Sequence, residues 1–293
     1  MSNINRRQFI KTGVAGIAGL SISSLAIPGC KSGQTAISKT KLGKTGLSIS
    51  RIGMGTGTIG YNHASNQTRL GLENFVKLAH HGYERGLRFF DMAESYGSHA
   101  FVGEALKTLP REKITLCSKI WTHPDGSDKI EPVETTLDRF RKDLGTDYID
   151  ILLMHCMMEG NWKESRKYYI DAFLKAKQDG IIKAVGVSCH NWDALSNAVD
   201  NPWVDIILAR INPFGTHMDG KPEDINALLK RAKDNGKGVI GMKIFGEGKN
   251  TSDAERQQSL EYAINTANIH SMTIGLESIA QIDDLVSRVE ILL

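Results

Sequence analysis

The chain has 293 residues, of which 41% are hydrophobic and 24% charged, as is typical of a globular protein with a full-sized core. The net charge of +3 arises in residues 1–29, which hold Arg6, Arg7 and Lys11 and no acidic residue. The rest of the chain is electrically balanced, and this excludes a general attraction to nucleic acid or to an anionic membrane.

Residues 1–30 predict an export signal rather than a part of the fold. A pair of arginines precedes an apolar segment over 12–27, which is shorter than the roughly 20 residues that a membrane span needs. The pattern resembles a bacterial twin-arginine signal peptide, which the twin-arginine export machinery reads as an address. The sequence ending at Cys30 also resembles a lipoprotein cleavage site, and lipidated and unlipidated forms both stay open. We therefore expect an exported, periplasmic protein with membrane contact only through a lipid on Cys30, followed by a polar tether over 31–40.

After residue 40, short apolar segments alternate with amphipathic helical segments. Strands are predicted at 49–55, 87–91, 114–119, 149–155, 181–187, 204–210, 238–243 and 271–275. Helices are predicted at 68–86, 99–108, 131–144, 164–179, 191–199, 222–235, 253–267 and 278–292. Eight βα units without a linker predict an α/β fold, a single (β/α)8 TIM barrel over 41–293, with a short N-terminal β-hairpin at 41–48.

Residues 55–60 match the GxGxxG pattern and follow a predicted strand, so a doubly wound dinucleotide fold is an alternative. That fold needs a helix directly after the glycines, whereas the segment 61–67 is polar and poor in helix formers. The next acidic residue at a strand end, Asp91, lies about 31 residues beyond Gly60, where the dinucleotide fingerprint expects roughly 20. The barrel is therefore the favoured fold.

Ionisable residues lie at the C-terminal ends of three consecutive predicted strands, where a barrel of this kind builds its active site. Asp91 ends the second strand and is followed by Tyr96, Lys119 ends the third strand, and His155 ends the fourth. A cation beside the Tyr96 phenol predicts a pKa lowered toward neutrality, which suits a proton donor to a carbonyl oxygen. His155 is placed to orient that carbonyl. Since no side chain supplies a hydride, the chemistry requires a nicotinamide cofactor.

The same residues lie in segments that resemble the aldo/keto reductase family, at 41–48, 53–57, 90–97, 118–119, 150–155 and 186–188. The resemblance extends over residues 40–293. It implies a catalytic tetrad of Asp91, Tyr96, Lys119 and His155, with Tyr96 as the general acid and a hydride from NAD(P)H. The reaction would interconvert a carbonyl and an alcohol.

The resemblance also implies a cofactor site, formed by Thr56, Gly57, Ser188, Cys189, Met242, Lys243, Gly246, Glu277, Ser278 and Gln281. Cys189, Leu208 and Met242 replace an Asn, a Gln and an aromatic residue of the family. Glu277 and Gln281 lie where many relatives place a cation for the 2′-phosphate of NADP, so we expect NAD to be slightly favoured over NADP. An exported enzyme has no supply of free cofactor, so tight binding is also expected.

The substrate is expected to be a small carbonyl or alcohol, such as a sugar or sugar-like ketone, in a pocket bordered by Trp121 and Phe214. A nicotinamide-nucleotide-binding sensor or partner subunit with little turnover is an alternative with the same tetrad. A metal-dependent hydrolase would need clustered ligands, and only His155 and His190 qualify, so no metal is predicted.

Overall fold

Eight parallel strands close into a barrel in the computed structural model, which describes residues 37, 39–123 and 131–293. The barrel strands in chain order are β3 (Ile52–Gly55), β4 (Phe89–Asp91), β5 (Thr115–Trp121), β6 (Ile149–Met157), β7 (Ile182–Cys189), β8 (Ile206–Arg210), β9 (Gly238–Met242) and β10 (Ser271–Gly275). Each strand pairs with the next, and β10 pairs with β3 to complete the circle. The predicted TIM barrel is confirmed.

Helices cover the outside of this barrel. They are α1 (Asn66–Arg69), α2 (Leu72–Glu84), α3 (His99–Leu106), α4 (Val133–Leu144), α5 (Trp162–Ser165), α6 (Lys167–Gln178), α7 (Trp192–Asp200), α8 (Pro222–Asp234), α9 (Asp253–Asn265) and α10 (Ile279–Leu292). The helix predicted at 68–86 is split into α1 and α2, because Gly71 between them has a φ of 81° that a helix cannot contain. No helix of the described residues is long and apolar enough to cross a membrane.

A short antiparallel hairpin precedes the barrel, as predicted. Its strands are β1 (Lys39–Lys41) and β2 (Ser48–Ser50). The hairpin therefore begins two residues earlier than expected, inside the segment that was predicted to be a tether. Leu42 and Ile49 are fully buried in the cluster that fills the barrel interior, so the hairpin seals the N-terminal end of the barrel. The predicted signal peptide and residues 31–36 lie outside the described residues.

The barrel interior is filled by inward-facing side chains that alternate along each strand. This cluster includes Phe89, Cys117, Ile151, Leu153, Ala184, Ile206, Leu208, Ile240 and Met242. Because side chains alternate with a period of two, the residue two positions after the last apolar one faces inward at the top of the barrel. On β4, β5 and β6 those residues are Asp91, Lys119 and His155. The predicted catalytic residues thus form the layer directly above an apolar core.

Candidate active site

Backbone strain is concentrated at the C-terminal end of the barrel. Among the described residues, seven that are not glycine have positive φ: Ile59, Asn62, His63, Cys156, His217, Lys243 and Glu247. All seven lie at the C-terminal end of a barrel strand or in the loop that follows one. A positive φ is costly for such residues, above all for the β-branched Ile59, and this kind of strain clusters at functional sites.

Lys119 and Asp91 form a buried ion pair at the top of the barrel. The Lys119 Nζ donates to Asp91 Oδ1 at 2.6 Å and to the carbonyl of Met92 at 2.8 Å, and the Lys119 side chain is only 1% exposed. Burial is the largest single effect and opposes the charged ammonium, but Asp91 together with Tyr96 and Cys117 outweighs it, so the pKa of Lys119 is raised above its usual value. Lys119 is therefore a fixed positive charge.

Tyr96 ends a single 3-10 turn, Glu94–Tyr96, which closes on Gly97 in the left-handed conformation. Its hydroxyl lies 3.4 Å from His155 Nε2, and the Lys119 Nζ lies 4.9 Å from the centre of its ring. The expected fall in the pKa of Tyr96 is wrong. Burial of the phenol raises its pKa above 10, and this effect exceeds the opposing attraction of Lys119. The phenol therefore keeps its proton at neutral pH.

His155 is a neutral imidazole in this setting. Burial, followed by the charge of Lys119, lowers its pKa well below 6.5. Its ring meets Tyr96 and Trp121 edge to face, at centroid distances of 5.6 and 5.5 Å. The buried Nδ1 has no hydrogen-bond partner among the described residues, so the ring is held by its packing and by the contact with Tyr96.

A cavity of about 580 Å³ begins at the tetrad and runs across the top of the barrel. Asp91 and Tyr96 line one end, Met242 and Lys243 line the side, and the far end contains Glu277, Gln281, Arg256 and Asp284. Its volume lies in the range of small-molecule and cofactor sites. Asp91 and Tyr96 therefore form part of the cavity wall, whereas Lys119 and His155 lie outside its described lining.

Comparison with known proteins identifies the family to which a chain with this arrangement belongs. The model of the aldo/keto reductase family matches residues 51–291. The chain belongs to the aldo/keto reductase family. This is a family of NAD(P)-dependent oxidoreductases that act on carbonyl and alcohol groups.

The relatives of this aldo/keto reductase differ in how much of them it matches. An aldo-keto reductase of Mycobacterium sp. is 32% identical over 52% of this chain and 49% of its own length, so the match spans about half of that protein. L-galactose dehydrogenase of Arabidopsis thaliana is 25% identical over 82% of this chain and 84% of its own length.

Solved structures share the fold. An aldo-keto reductase from Bacillus halodurans in its holo form has a TM-score of 0.68 at 20% identity, covering 86% of this chain and 90% of that one. An aldo/keto reductase from Klebsiella pneumoniae in complex with NADP and acetate has a TM-score of 0.66 at 18% identity, covering 87% of this chain and 91% of that one.

Half of the predicted cofactor residues line the cavity of this aldo/keto reductase, namely Gly57, Met242, Lys243, Glu277 and Gln281. The cavity wall does not include the other five, which are Thr56, Ser188, Cys189, Gly246 and Ser278. The described wall thus follows the loop after β9 and the start of α10 more closely than the end of β7.

Two of these five residues, Thr56 and Cys189, have side chains that bond or pack inside the protein. The Thr56 hydroxyl donates to the carbonyl of Asp91 at 2.9 Å and shares a hydrogen bond with Ser98 at 2.7 Å. The Cys189 side chain is completely buried in the layer between barrel and helices, and burial raises the pKa of its thiol. Their side chains therefore face the protein interior, and a contact with cofactor through their backbone stays a prediction.

The remaining three have defined local roles. The Ser188 Oγ accepts from the backbone N–H of Cys156 at 2.8 Å, which leaves the hydroxyl proton available for another acceptor. Ser278 caps α10 by accepting from the N–H of Gln281. Gly246 has a φ of 55°, and any Cβ on it would collide with Asn250 and Thr216.

The two predicted substrate-pocket residues occupy different surroundings. Trp121 is 44% exposed at the end of β5 and packs against His155 and His123, with a centroid distance of 4.8 Å to the latter. Phe214 is partly exposed on the loop after β8, where its N–H donates to Asn212. Neither lines the described cavity, and only Trp121 contacts the tetrad.

Arg210 was missed by the sequence interpretation, although the alternation of Ile206, Leu208 and Arg210 along β8 places it in the top layer. Its guanidinium pairs with the buried Asp219 and donates to the carbonyl of His190 at 3.0 Å. The described residues contain no group of three His, Cys, Asp or Glu side chains that could hold a metal ion.

Proposed function

We propose that the protein is an NAD(P)(H)-dependent oxidoreductase that interconverts a carbonyl and an alcohol, with Tyr96 as general acid and base. The observation that carries the proposal is the half-buried Tyr96 hydroxyl, 3.4 Å from His155 and beside the Lys119–Asp91 pair, on the wall of the cavity. The family membership supports it.

The cavity residues fit a nicotinamide dinucleotide. Lys243 on the cavity wall is paired with Glu247 and would have to exchange that carboxylate for a pyrophosphate. The Ser188 hydroxyl, at the end of β7 outside the described lining, keeps a proton for a carboxamide. When bound, the nicotinamide supplies or accepts the hydride. The Klebsiella pneumoniae relative contains NADP, which supports the same cofactor class here.

The tetrad residues handle the proton. In reduction, the protonated phenol of Tyr96 donates its proton to the carbonyl oxygen as negative charge develops there. The Lys119 ammonium stabilises the phenolate that remains, and Asp91 holds that ammonium in place. The neutral His155 offers Nε2 as a hydrogen-bonding group beside the same oxygen. In oxidation, the phenolate takes the proton back.

Replacement of Tyr96 tests this role. We expect Tyr96→Phe to lower turnover by about 10²–10⁴-fold on a panel of carbonyl compounds, while its affinity for NADH stays unchanged. Tyr61→Phe is the matched control, since Tyr61 is 72% exposed and does not line the cavity. Unchanged turnover in Tyr96→Phe would reject Tyr96 as the proton donor, whereas negligible turnover in both proteins would favour a nucleotide-binding sensor or partner subunit.

We further propose a preference for NAD(H) over NADP(H). Glu277 is held at the far end of the cavity, where its carboxylate accepts from Asn66 Nδ2 at 2.8 Å. The nearby cation, Arg256, is already paired with Asp253 and Asp284, each at 3.4 Å. A carboxylate repels a 2′-phosphate but accepts hydrogen bonds from a ribose diol. Tighter binding of NADPH than of NADH in direct titration would overturn this preference.

A sugar or sugar-like ketone is the substrate class that we propose. The exposed face of Trp121 beside His155 provides an apolar surface for stacking, next to neutral hydrogen-bonding groups. L-galactose dehydrogenase and methylglyoxal reductase are among the relatives, and their names give the upper and lower ends of the substrate size range. Ratios of kcat/KM over a panel from methylglyoxal to hexoses measure the choice, and a clear preference for methylglyoxal would reject a sugar.

Export is proposed from residues 1–30 alone. A folded barrel that carries tightly bound nucleotide suits the twin-arginine route, and a lipid on Cys30 would hold it at the membrane. Changing both Arg6 and Arg7 to Lys should retain the protein in the cytoplasm, and Cys30→Ser should release it from membranes. Acid extraction of purified exported protein should yield nucleotide, and a clean absence would reject tight binding.

A further inference from the structure

The GxGxxG segment at 55–60 meets the predicted general acid directly. A Cβ built on Gly57 would lie within 2.5 Å of Cδ2 in the Tyr96 ring, and closer still to Cε2 and Cζ. A Cβ on Gly60 would lie 2.9 Å from Cε1, on the other edge of the same ring, and closer to Cδ1. Real Cβ atoms do not approach other atoms so closely. The lack of a side chain at both glycines therefore leaves room for the Tyr96 ring.

Backbone conformation does not explain these two glycines. Neither Gly57 nor Gly60 is among the residues with positive φ, so an L-amino acid could adopt the backbone of either. Gly60 also lies outside the lining of the nucleotide cavity, whereas Gly57 borders it. Close approach of the Tyr96 ring is the requirement that both positions share.

The loop that carries the glycines is held by hydrogen bonds that do not involve the Tyr96 side chain. Gln67 is buried, accepts from the N–H of Thr58 at 3.0 Å, and donates to the Thr58 hydroxyl at 2.8 Å. The N–H of Gly60 donates to the carbonyl of Gly57 at 3.0 Å, and the N–H of His63 donates to Ser95 at 2.9 Å. A methyl group on this loop would therefore displace the ring more readily than the loop.

We propose that Gly57 and Gly60 are positioning residues, which form a wall without side chains that sets where the Tyr96 hydroxyl lies. The inference rests on the proposed role of Tyr96. The wall presses the ring toward β4, β5 and β6, which contribute Asp91, Cys117, Lys119 and His155 to its surroundings. The GxGxxG glycines thus act on the proton donor and not through a helix N-terminus beneath a pyrophosphate.

Gly60→Ala separates this role from nucleotide binding. A methyl group there requires the ring to move by roughly 1 Å, a displacement that costs about 10²-fold in turnover. We expect kcat to fall by that factor while the Kd for NADH is unchanged. The ring moves toward Lys119 or toward the open cavity, and either change lowers the phenolic pKa, because one adds a cation and the other adds water. Ultraviolet difference titration against Tyr96→Phe reads that pKa directly.

Gly82→Ala is the matched control. Its Cβ would lie 2.5 Å from the Met54 sulfur, between α2 and β3, so it crowds a flexible side chain away from Tyr96. We expect it to lower thermal stability without changing kcat or the tyrosine titration. In a Tyr96→Phe background, Gly60→Ala should lower turnover by a smaller factor than it does in the wild type, since the hydroxyl through which it acts is gone.

The outcomes are separable. A folded Gly60→Ala protein with unchanged kcat and unchanged tyrosine titration overturns the positioning role. If Tyr96→Phe keeps full turnover, the proposed function fails, whereas the shift in the titration of Tyr96 still tests the wall. If Gly60→Ala does not fold, it is tested with Tyr96→Ala, which removes the ring. Failure of that double variant to regain folding would also overturn the proposal.

Discussion

The two ends of the cavity use charge in different ways. At the tetrad end, a single buried carboxylate, Asp91, holds the Lys119 ammonium, and the neighbouring phenol and imidazole are both neutral. At the far end, where we propose that the nucleotide ribose lies and which we call the nucleotide end, Glu277, Arg256 and Asp284 are only partly buried. Each carries a hydrogen bond or ion pair at the surface. A buried charge that loses its partner cannot be rescued by water, whereas a surface charge can. Changes at the first end should therefore affect both folding and chemistry, and changes at the second should affect only ligand choice.

The largest expected effect follows from Lys119→Met, which leaves Asp91 buried without a counter-charge. We expect the free energy of unfolding to fall by about 3–5 kcal/mol, and turnover to fall by at least about 10²-fold. Urea denaturation and steady-state kinetics measure the two effects. Lys77→Met is the control, because Lys77 forms an exposed pair with Glu73, and it should change neither quantity. Equal stability of the Lys119 and Lys77 variants would break the contrast.

The buried histidines at the tetrad end predict a pH dependence of stability. Burial lowers the pKa of His99 to about 3 and that of His155 well below 6.5. Each is neutral in the folded state and gains a proton on unfolding below pH 6.5. Its contribution to the free energy of unfolding is therefore fully present above that pH and is lost as pH falls. The loss is about 1.4 kcal/mol per pH unit for each histidine. His99→Gln should remove one of the protons that are taken up on unfolding, which lowers the slope of unfolding free energy against pH. An unchanged slope between about pH 6 and pH 4 would contradict the assignment.

The smallest effect is expected at the nucleotide end, from Glu277→Arg. Exchange of the carboxylate for a guanidinium should strengthen NADPH binding relative to NADH by about tenfold or more, while kcat at saturating cofactor and the unfolding midpoint stay the same. Glu277→Gln should lie between the two. An unchanged ratio of the two dissociation constants would show that Glu277 does not face the ribose.

Much of the fold was predictable because it depends on side-chain pattern alone. Apolar strands such as 149–155 and 181–187 marked the barrel, and Asp91, Lys119 and His155 were found because parallel strands deliver their C-terminal residues to one end. Arg210 could have been found by the same reasoning, because it lies two residues beyond Leu208 on β8, where the sequence interpretation named no ionisable residue.

The errors have a common physical cause, because they depend on how deeply a group is buried. The pKa of Tyr96 was predicted to fall from the presence of Lys119, but burial of the phenol dominates. The burial of the Thr56 and Cys189 side chains was likewise not visible in the sequence, and their place in the cofactor site stays a prediction. The close contact of Gly57 and Gly60 with the Tyr96 ring could not be predicted from the sequence, because it forms only when the chain folds.

The order of the strands along the chain has a consequence for biosynthesis. The tetrad is contributed by residues 91–155, whereas the proposed nucleotide end depends on β9, β10 and α10, which leave the ribosome after the tetrad. The barrel closes only when β10 pairs with β3. A chain that stops before β10 would hold all four tetrad residues and lack the far end of the cavity, so nucleotide capture would report that the barrel has closed.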